Sequence, residues 1–398
     1  MKRTQGRGRR PAGATHHAII YSYPFAVDIA LALVLFVGRH SLASRGLPEA
    51  TVGSVLLVYG VGYCVSSLFM RHVVRPHRAR PQMLAALGAM AAACVALARV
   101  EAVWAVQALF AILPVAVSLF INAFQAFMLG VTTDTRRALT TMAGHYTFSW
   151  SLGYALGPFA SGAARGFLAW GQVYYLAAGI AAVLAVLVAT LEPERTPVAA
   201  PAPGRASPDE AATGSRSLVG PAWLGVGLGW LGWNAVATWW PVQAAQLDYP
   251  DGVRGAVEFA YALAQALGAL ALAHAPPWHR RPLLLPVLGG VGAAGLLAFG
   301  AAASPLGFSL GAALYGLYTS SAFSLMVYHS MVEPGRAVRR VALNETIVGL
   351  SFLLGPVTAA LLHRSGAPFG PAYQGLALTL VLGVTAQTAW AARLTRRG

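Results

Sequence analysis

Long apolar stretches recur along this chain of 398 residues and constrain its fold more than any other feature. An α-helix that crosses a bilayer needs about 20 apolar residues. Only 10% of the residues are charged, against roughly 25% in soluble domains. We therefore predict an all-α membrane protein of about twelve transmembrane helices. The predicted spans are 18–38, 52–70, 83–99, 103–130, 141–164, 172–191, 218–246, 256–275, 282–302, 306–331, 341–363 and 372–392.

The basic residues predict how these helices are oriented. Of the 28 Lys and Arg residues, 22 lie in the two tails and in every second loop between predicted spans. Cytoplasmic loops carry such an excess of Lys and Arg. We therefore expect a multi-pass protein of the cell inner membrane with both termini in the cytoplasm. This distribution accounts for the net charge of +15 without a nucleic-acid partner.

A segment rich in Pro, Ala, Ser and charge divides the chain near its middle, and this composition is typical of a flexible linker. Gly157-Pro158 and Gly355-Pro356 lie 198 residues apart in the fifth and eleventh spans, and such internal repeats are common in transporters. The predicted units are a cytoplasmic basic tail (1–17), an N-terminal six-helix half (18–191), a cytoplasmic linker (192–217), a C-terminal six-helix half (218–392) and a cytoplasmic tail (393–398).

The fifth span carries the most specific motif. Residues 153–162 read Gly-Tyr-Ala-Leu-Gly-Pro-Phe-Ala-Ser-Gly, which resembles the fifth-helix motif of the major facilitator superfamily, a motif associated with antiporters. The stretch 46–53 is similar to that family's loop between helices one and two. The resemblance covers nearly the whole chain and implies two six-helix halves around a central substrate path. The loop 71–80 keeps the family's basic residues but lacks its Asp and Gly, and the fourth span has no Arg.

Three acidic residues lie within predicted spans, where a charged side chain costs about 2.5–3.5 kcal/mol or more at the helix centre. Asp28 is near the middle of the first span. It either titrates during transport or pairs with a cationic substrate, or else it has a structural role in bonding to the backbone or a neighbouring helix. Glu258 begins the eighth span, and we expect it to be solvated at the membrane interface.

Glu345, the third acid, is near the start of the eleventh span. One interpretation is an acid at a helix start, favoured by the helix dipole and paired with Arg339 or Arg340. The alternative is a gate between the halves in which Asp134 and Arg136 take part. A set of salt bridges with two arrangements is a plausible switch for alternating access.

The resemblance also implies which residues line the substrate path, since helices one, four, seven and ten do so in that family. Polar amides on these helices face protein or water because they cannot face lipid cheaply. We expect the Trp239-Trp240 pair to lie in an interfacial aromatic belt instead. The predicted substrate-binding and coupling residues are Asp28, Tyr21, Tyr23, Gln107, Asn122, Gln125, Trp233, Asn234, Tyr315 and Tyr318.

Glycine and proline in the repeated motif predict close packing and bending. Glycines four residues apart, such as Gly153 and Gly157, let a partner helix approach closely. Pro158 removes a backbone hydrogen bond and bends the helix. These residues, with Gly355 and Pro356 of the repeat, either form a hinge or a leak seal between the halves or serve helix packing alone, and the two roles are compatible.

These observations favour a secondary active transporter that moves a small organic molecule by alternating access. We further expect this transporter to couple to protons through Asp28 and to export its substrate. The acids within spans favour a cationic or neutral substrate over an anion. The alternative is a transporter-fold sensor or assembly scaffold without its own flux. No catalytic, P-loop or metal-ligand spacing is present, so we expect no enzyme activity and no cofactor. The expected partners are the substrate, protons and the bilayer, and the expected state is a monomer.

Overall fold

The computed structural model describes residues 13–131, 136–190, 218–275, 278, 284–331, 334–364 and 366–396. These residues contain twelve α-helices and no β-strand, which confirms the prediction of an all-α chain. The helices are α1 (Gly13–Ser44), α2 (Glu49–Val73), α3 (Ala79–Leu97), α4 (Val103–Val131), α5 (Arg136–Ala164), α6 (Trp170–Ala189), α7 (Val219–Gln246), α8 (Asp251–His274), α9 (Leu284–Ala301), α10 (Pro305–Met331), α11 (Pro334–Leu362) and α12 (Phe369–Arg396).

Each predicted span corresponds to one of these helices. Ten are long and apolar enough to cross a membrane, and the other two are α5 and α7. A helix that is surrounded by protein does not need a fully apolar surface. In α7, 17 of the 28 residues are buried, and α5 packs extensively against both α1 and α8. Their polar and small residues therefore face other helices.

Because successive helices cross the bundle in opposite directions, α1 begins and α12 ends at the same face. We call this the termini face and the other the opposite face. The helix α1 begins at Gly13, earlier than the predicted span, so part of the predicted tail 1–17 is helical. The predicted linker 192–217 lies outside the described residues.

We call α1–α6 the N-terminal half and α7–α12 the C-terminal half. The most extensive contacts between them are α5 with α8 and α2 with α11. Glycines bring the helix backbones together at both pairs. A methyl group at Gly60 of α2 would overlap the backbone of Leu353, and one at Gly255 of α8 would overlap the carbonyl of Pro158. This close approach is typical of packing through small residues in membranes.

Candidate functional site

A cavity with about 710 Å³ of empty space, part of it open to solvent, lies between the two halves. Its wall includes Asp28 and Leu31 from α1, in the middle of that helix, and Met331, the last residue of α10 at the termini face. The cavity therefore extends from the middle of the bundle toward the termini face.

Two carboxylates line this cavity, one from each half. Asp28 is 8% exposed, and its carboxylate has no hydrogen-bond partner among the described residues. Glu345 is 11 residues beyond the first residue of α11 and is held on both oxygens. Tyr63 Oη donates to Glu345 Oε2 at 2.5 Å, and Gln125 Nε2 donates to Glu345 Oε1 at 3.0 Å.

These contacts replace the predicted pairing of Glu345 with Arg339 or Arg340. The helix α11 begins at Pro334, several residues before the predicted span, so Glu345 lies three turns inside the bundle instead of at a helix start. The guanidinium of Arg340 donates to the carbonyl of His329 at 3.2 Å. The interpretation of Glu345 as a helix-start acid was therefore wrong.

Aromatic side chains form most of the remaining wall. Trp230 of α7 is central to this group, since its ring centroid lies 5.2 Å from that of Phe352, 5.5 Å from Phe323 and 6.1 Å from Trp150. Their tilted and edge-on geometries are those that aromatic pairs favour. The aromatic wall comprises Tyr59, Tyr63, Tyr146, Trp150, Tyr154, Trp230, Phe323 and Phe352.

Ionic contacts between the halves lie on the other side of the cavity, toward the opposite face. Arg39 of α1 forms a salt bridge of 2.8 Å with Glu258 of α8, and both side chains are 1% exposed. Arg39 also donates to the carbonyl of Ala237 in α7 at 2.9 Å. His40 Nε2 lies 3.0 Å from the second oxygen of Glu258. We call Arg39, His40 and Glu258 the buried lock.

The buried lock corrects two expectations. Glu258 was expected to be solvated at the interface, but Arg39 and His40 enclose it within the bundle. Arg39 was placed just outside the first predicted span, 18–38, but it lies five residues before the end of α1 and is fully buried. At 1.5 Å per residue, it lies about 8 Å inside the helix end.

Two further polar contacts join the halves around the buried lock, and their acidic residues are more exposed than Glu258. Asp251 of α8 accepts from Arg165, at the end of α5, at 3.2 Å. Glu49 of α2 lies 2.8 Å from His363, just beyond α11. The two halves are therefore bonded at the opposite face at the same time as a cavity separates them nearer the termini face.

This arrangement of two six-helix groups around a central cavity can be compared with known proteins. The sequence model of the Major Facilitator Superfamily matches residues 23–356 of the chain. The chain belongs to this superfamily. It is accordingly a multi-pass membrane protein of a secondary-transporter family and not an enzyme.

A solved structure of another major facilitator shows the same fold. The crystal structure of the human organic anion transporter MFSD10 (TETRAN) matches with a TM-score of 0.65 and 16% sequence identity, over 95% of this chain and 100% of that one. At this identity the likeness shows the fold alone. No curated protein sequence matches the chain.

Within this major facilitator, two of the predicted substrate residues, Asp28 and Gln125, line the cavity together. The other predicted substrate residues of α1 and α4 form hydrogen bonds with residues that do not line the cavity. Tyr21 Oη is 3.1 Å from His145 Nδ1, Gln107 donates to Ser54 at 2.7 Å, and Asn122 donates to the carbonyl of Ser118 at 2.9 Å. Tyr23 Oη donates to the carbonyl of Leu187 at 3.3 Å.

The predicted residues of α7 and α10 form a packed layer between helices. Trp233 stacks on Tyr261 with ring centroids 3.5 Å apart. Tyr315 Oη donates to the carbonyl of Gly229 at 2.8 Å, and Tyr318 Oη to that of Gly225 at 3.2 Å. Asn234 is 1% exposed. Their assignment to the substrate path stays a prediction.

The Trp239-Trp240 pair was expected in an interfacial belt, but both side chains are buried in the bundle. Trp239 packs edge-on against Tyr373, and Trp240 packs against Phe299 and Phe308. The pair lies within the C-terminal half because the neighbouring helices α9, α10 and α12 cover it.

The structure gives the surroundings of the predicted gating glycines, but not those of Asp134 or of the Arg136 side chain. Asp134 lies outside the described residues, and Arg136 is the first residue of α5, with a side chain that is not described. Gly153 faces the backbone of Phe25, and a methyl group at Gly157 would lie 2.5 Å from Ala32 Cβ. These two glycines therefore let α5 pack tightly on α1.

The repeated motif in the C-terminal half packs in a similar way. Gly355 of α11 faces Asn234 of α7, and a methyl group at Gly355 would lie only 2.4 Å from Asn234 Cβ. Pro356 borders Gly53 of α2, and Pro158 and Pro356 both lie inside their helices. Whether these residues act as hinges stays a prediction.

Sequence reasoning missed the residues that hold Glu345 and the residues that form the buried lock. Tyr63 lies on α2, which was not among the helices expected to line the path. Arg39 lies one residue beyond the first predicted span and was counted with a loop. It directly follows an unbroken apolar run, which was a signal for burial. The described residues form no group of three or more potential metal ligands.

Proposed function

We propose that this chain is a proton-coupled secondary transporter that exports a small organic molecule by alternating access. The observation that carries the proposal is a pair of carboxylates, Asp28 and Glu345, in one cavity between halves that are bonded together on the opposite face. An ionisable residue within a membrane span is costly and marks ion or substrate pathways. A carboxylate that is reached from one face at a time is suited to carry a proton across.

The direction and orientation are proposed on the sequence. The fifth-helix stretch from Gly153 to Gly162 resembles a motif associated with antiporters, and an antiporter driven by an inward proton gradient exports its substrate. The excess of Lys and Arg at the termini face supports an inner-membrane protein with both termini in the cytoplasm. The 192–217 segment would then be a cytoplasmic linker between two halves, in a protein that works as a monomer.

The cavity would take a cationic or neutral substrate in preference to an anion. Asp28 and Glu345 give its described wall a negative character, and no Lys, Arg or His is among the described residues that line it. MFSD10, by contrast, is named an organic anion transporter. A cavity with two carboxylates would repel an organic anion, so we propose that the two proteins differ in the charge of what they carry.

The test is uptake into proteoliposomes with an imposed pH gradient. The purified protein is reconstituted and given three radiolabelled probes, namely the cation tetraphenylphosphonium, neutral chloramphenicol and anionic p-aminohippurate. We expect a proton gradient to drive at least one probe against its own concentration gradient, and a protonophore to abolish this uptake. Uptake that ignores the pH gradient would overturn proton coupling. Absence of flux for all three probes would favour the alternative of a sensor or scaffold.

Asp28→Asn and Glu345→Gln identify the coupling residues in the same assay. We expect each variant to lose accumulation driven by the proton gradient. Glu101→Gln is the matched control, since Glu101 is an exposed acid in the loop between α3 and α4, and it should accumulate the probe as the parent does. Full accumulation by both cavity variants would remove these acids from the mechanism.

A further inference from the structure

The two carboxylates of the cavity are not equivalent in their surroundings. Both oxygens of Glu345 accept a hydrogen bond, one from Tyr63 and one from Gln125. Asp28 is more deeply buried than Glu345, and its carboxylate accepts no hydrogen bond from the described residues. A buried charge without a partner is strongly unfavourable. Asp28 therefore needs a bound proton or a cation from outside the described residues, whereas both oxygens of Glu345 already have hydrogen-bond donors.

The aromatic wall fits a particular kind of counter-charge. Trp230, Phe323 and Phe352 pack around one another with centroids within 5.5 Å of Trp230, and Trp150 adds a second indole 4.7 Å from Phe323. Aromatic faces attract organic cations, most strongly at tryptophan and in desolvated sites. The same faces favour an apolar body, because burying its surface removes it from water.

We propose that the cavity selects organic monocations with an aromatic or otherwise apolar body, that Asp28 is their counter-ion, and that Glu345 is not. Trp230 and the rings around it form the apolar part of the site. Tyr63 and Gln125 act as positioning residues that keep Glu345 satisfied and so reserve Asp28 for the ligand. This inference rests on the proposed function and names the substrate class of the same cavity.

The experiment compares two ions of the same shape and opposite charge. Tetraphenylphosphonium and tetraphenylborate carry four phenyl rings each, and neither changes its charge with pH. Their binding to the purified protein in nanodiscs is measured at equilibrium, with protein-free nanodiscs as the blank. We expect saturable binding of tetraphenylphosphonium only. Equal or tighter binding of tetraphenylborate would overturn the proposal.

Variants assign the roles of the two acids. Asp28→Asn keeps the size of the side chain and removes its charge, and it should weaken tetraphenylphosphonium binding roughly 30-fold or more. Glu345→Gln should weaken binding by a smaller factor, and Glu101→Gln should leave it unchanged. Asp28→Glu retains the charge and should retain most of the affinity. Unchanged binding by Asp28→Asn, or a larger loss in Glu345→Gln, would overturn the assignment.

Binding and flux together distinguish failure of this inference from failure of the proposed function. If the proteoliposomes accumulate neutral chloramphenicol in response to a proton gradient, and tetraphenylphosphonium does not bind, the proposed function stands and the substrate class is wrong. If tetraphenylphosphonium binds through Asp28 without any proton-dependent flux, the substrate class stands and the transport function is wrong.

Discussion

Glu258→Gln should release the bond between the halves at the opposite face. The change leaves the Arg39 guanidinium buried with no acidic partner, because Glu258 is its salt-bridge partner at 2.8 Å and both side chains are 1% exposed. Removing one partner of a buried ion pair costs about 3–5 kcal/mol. In a conformation that is open at the opposite face, water would solvate Arg39. The cost therefore falls on the described conformation.

The energetic cost to the described conformation sets how far the equilibrium shifts toward the open one. At 1.4 kcal/mol per factor of ten, a cost of about 3–5 kcal/mol shifts the equilibrium toward the open conformation roughly 140- to 3,700-fold. The side chain of Thr238 reports the shift, because it is buried in α7 and faces Gly53 of α2 across the interface between the halves. The variant Thr238→Cys is made in a background with Cys64→Ala and Cys94→Ala.

The assay is the rate at which a charged, membrane-impermeant maleimide labels Thr238→Cys in nanodiscs. We expect Glu258→Gln to raise this rate by the same factor, up to the limit at which the open conformation is dominant. Asp251→Asn is the matched control. Asp251 lies two turns earlier on the same helix and pairs with Arg165 at 3.2 Å, and both of these side chains are about 20% exposed. It also pairs with Arg254 at 3.4 Å, but that contact lies within α8 and does not join the halves. Exposed pairs contribute about 0–1 kcal/mol, so its rate should rise no more than about fivefold.

A second substitution separates opening from unfolding. Arg39→Met in the Glu258→Gln background removes the unpaired charge, and replacing both partners of a buried pair is often close to neutral. The labelling rate of this double variant should return toward that of the parent. A rate within about fivefold of the parent in Glu258→Gln, or equal rates in Glu258→Gln and Asp251→Asn, would refute the argument. A high rate that persists in the double variant would indicate general unfolding instead.

Two further predictions concern packing within each half. Gly153→Ala places a methyl group on the carbonyl of Phe25 and should destabilise the protein by about 1–3 kcal/mol. The measurement is the Tm in detergent, which should fall. Gly179→Ala is the control, because Gly179 has open space around it and its substitution should not lower the Tm. Tyr315→Phe removes the hydrogen bond of 2.8 Å to the carbonyl of Gly229 and should lower the free energy of unfolding by about 0.5–1.5 kcal/mol. The measurement is the midpoint of chemical denaturation. An unchanged midpoint would show that this bond contributes nothing to stability.

The helices could be predicted from the sequence because the bilayer imposes a local rule. About 20 consecutive apolar residues are needed to cross it, and this requirement can be read along the chain without knowing any contact. The rule is weakest where protein replaces lipid around a helix. This is why α5 and α7, which are enclosed by neighbours, do not meet the criterion of length and hydropathy although both are full-length helices.

The pairing of residues from distant helices could not be read in this way. Glu258 and Arg39 are 219 residues apart, and each lies near a span end where solvation is the usual outcome. Trp239 and Trp240 show the same limit, since interfacial belts and buried cores both favour tryptophan. Successive residues of a helix are rotated by about 100°, so a small error in the rotation of a helix exchanges lining and packing residues.

The cavity and the buried lock are connected through α1. Asp28 and Arg39 are 11 residues apart, which is about 16 Å and close to three full turns, so both lie on one face of the helix. The proline inside α1 is Pro24, which precedes Asp28, and the segment between the two charges can therefore move as one rigid element. A tilt or rotation of α1 that separates Arg39 from Glu258 must displace Asp28 as well. A cation bound at Asp28 would consequently change the energy of opening at the opposite face, provided that it binds the two conformations with different affinity.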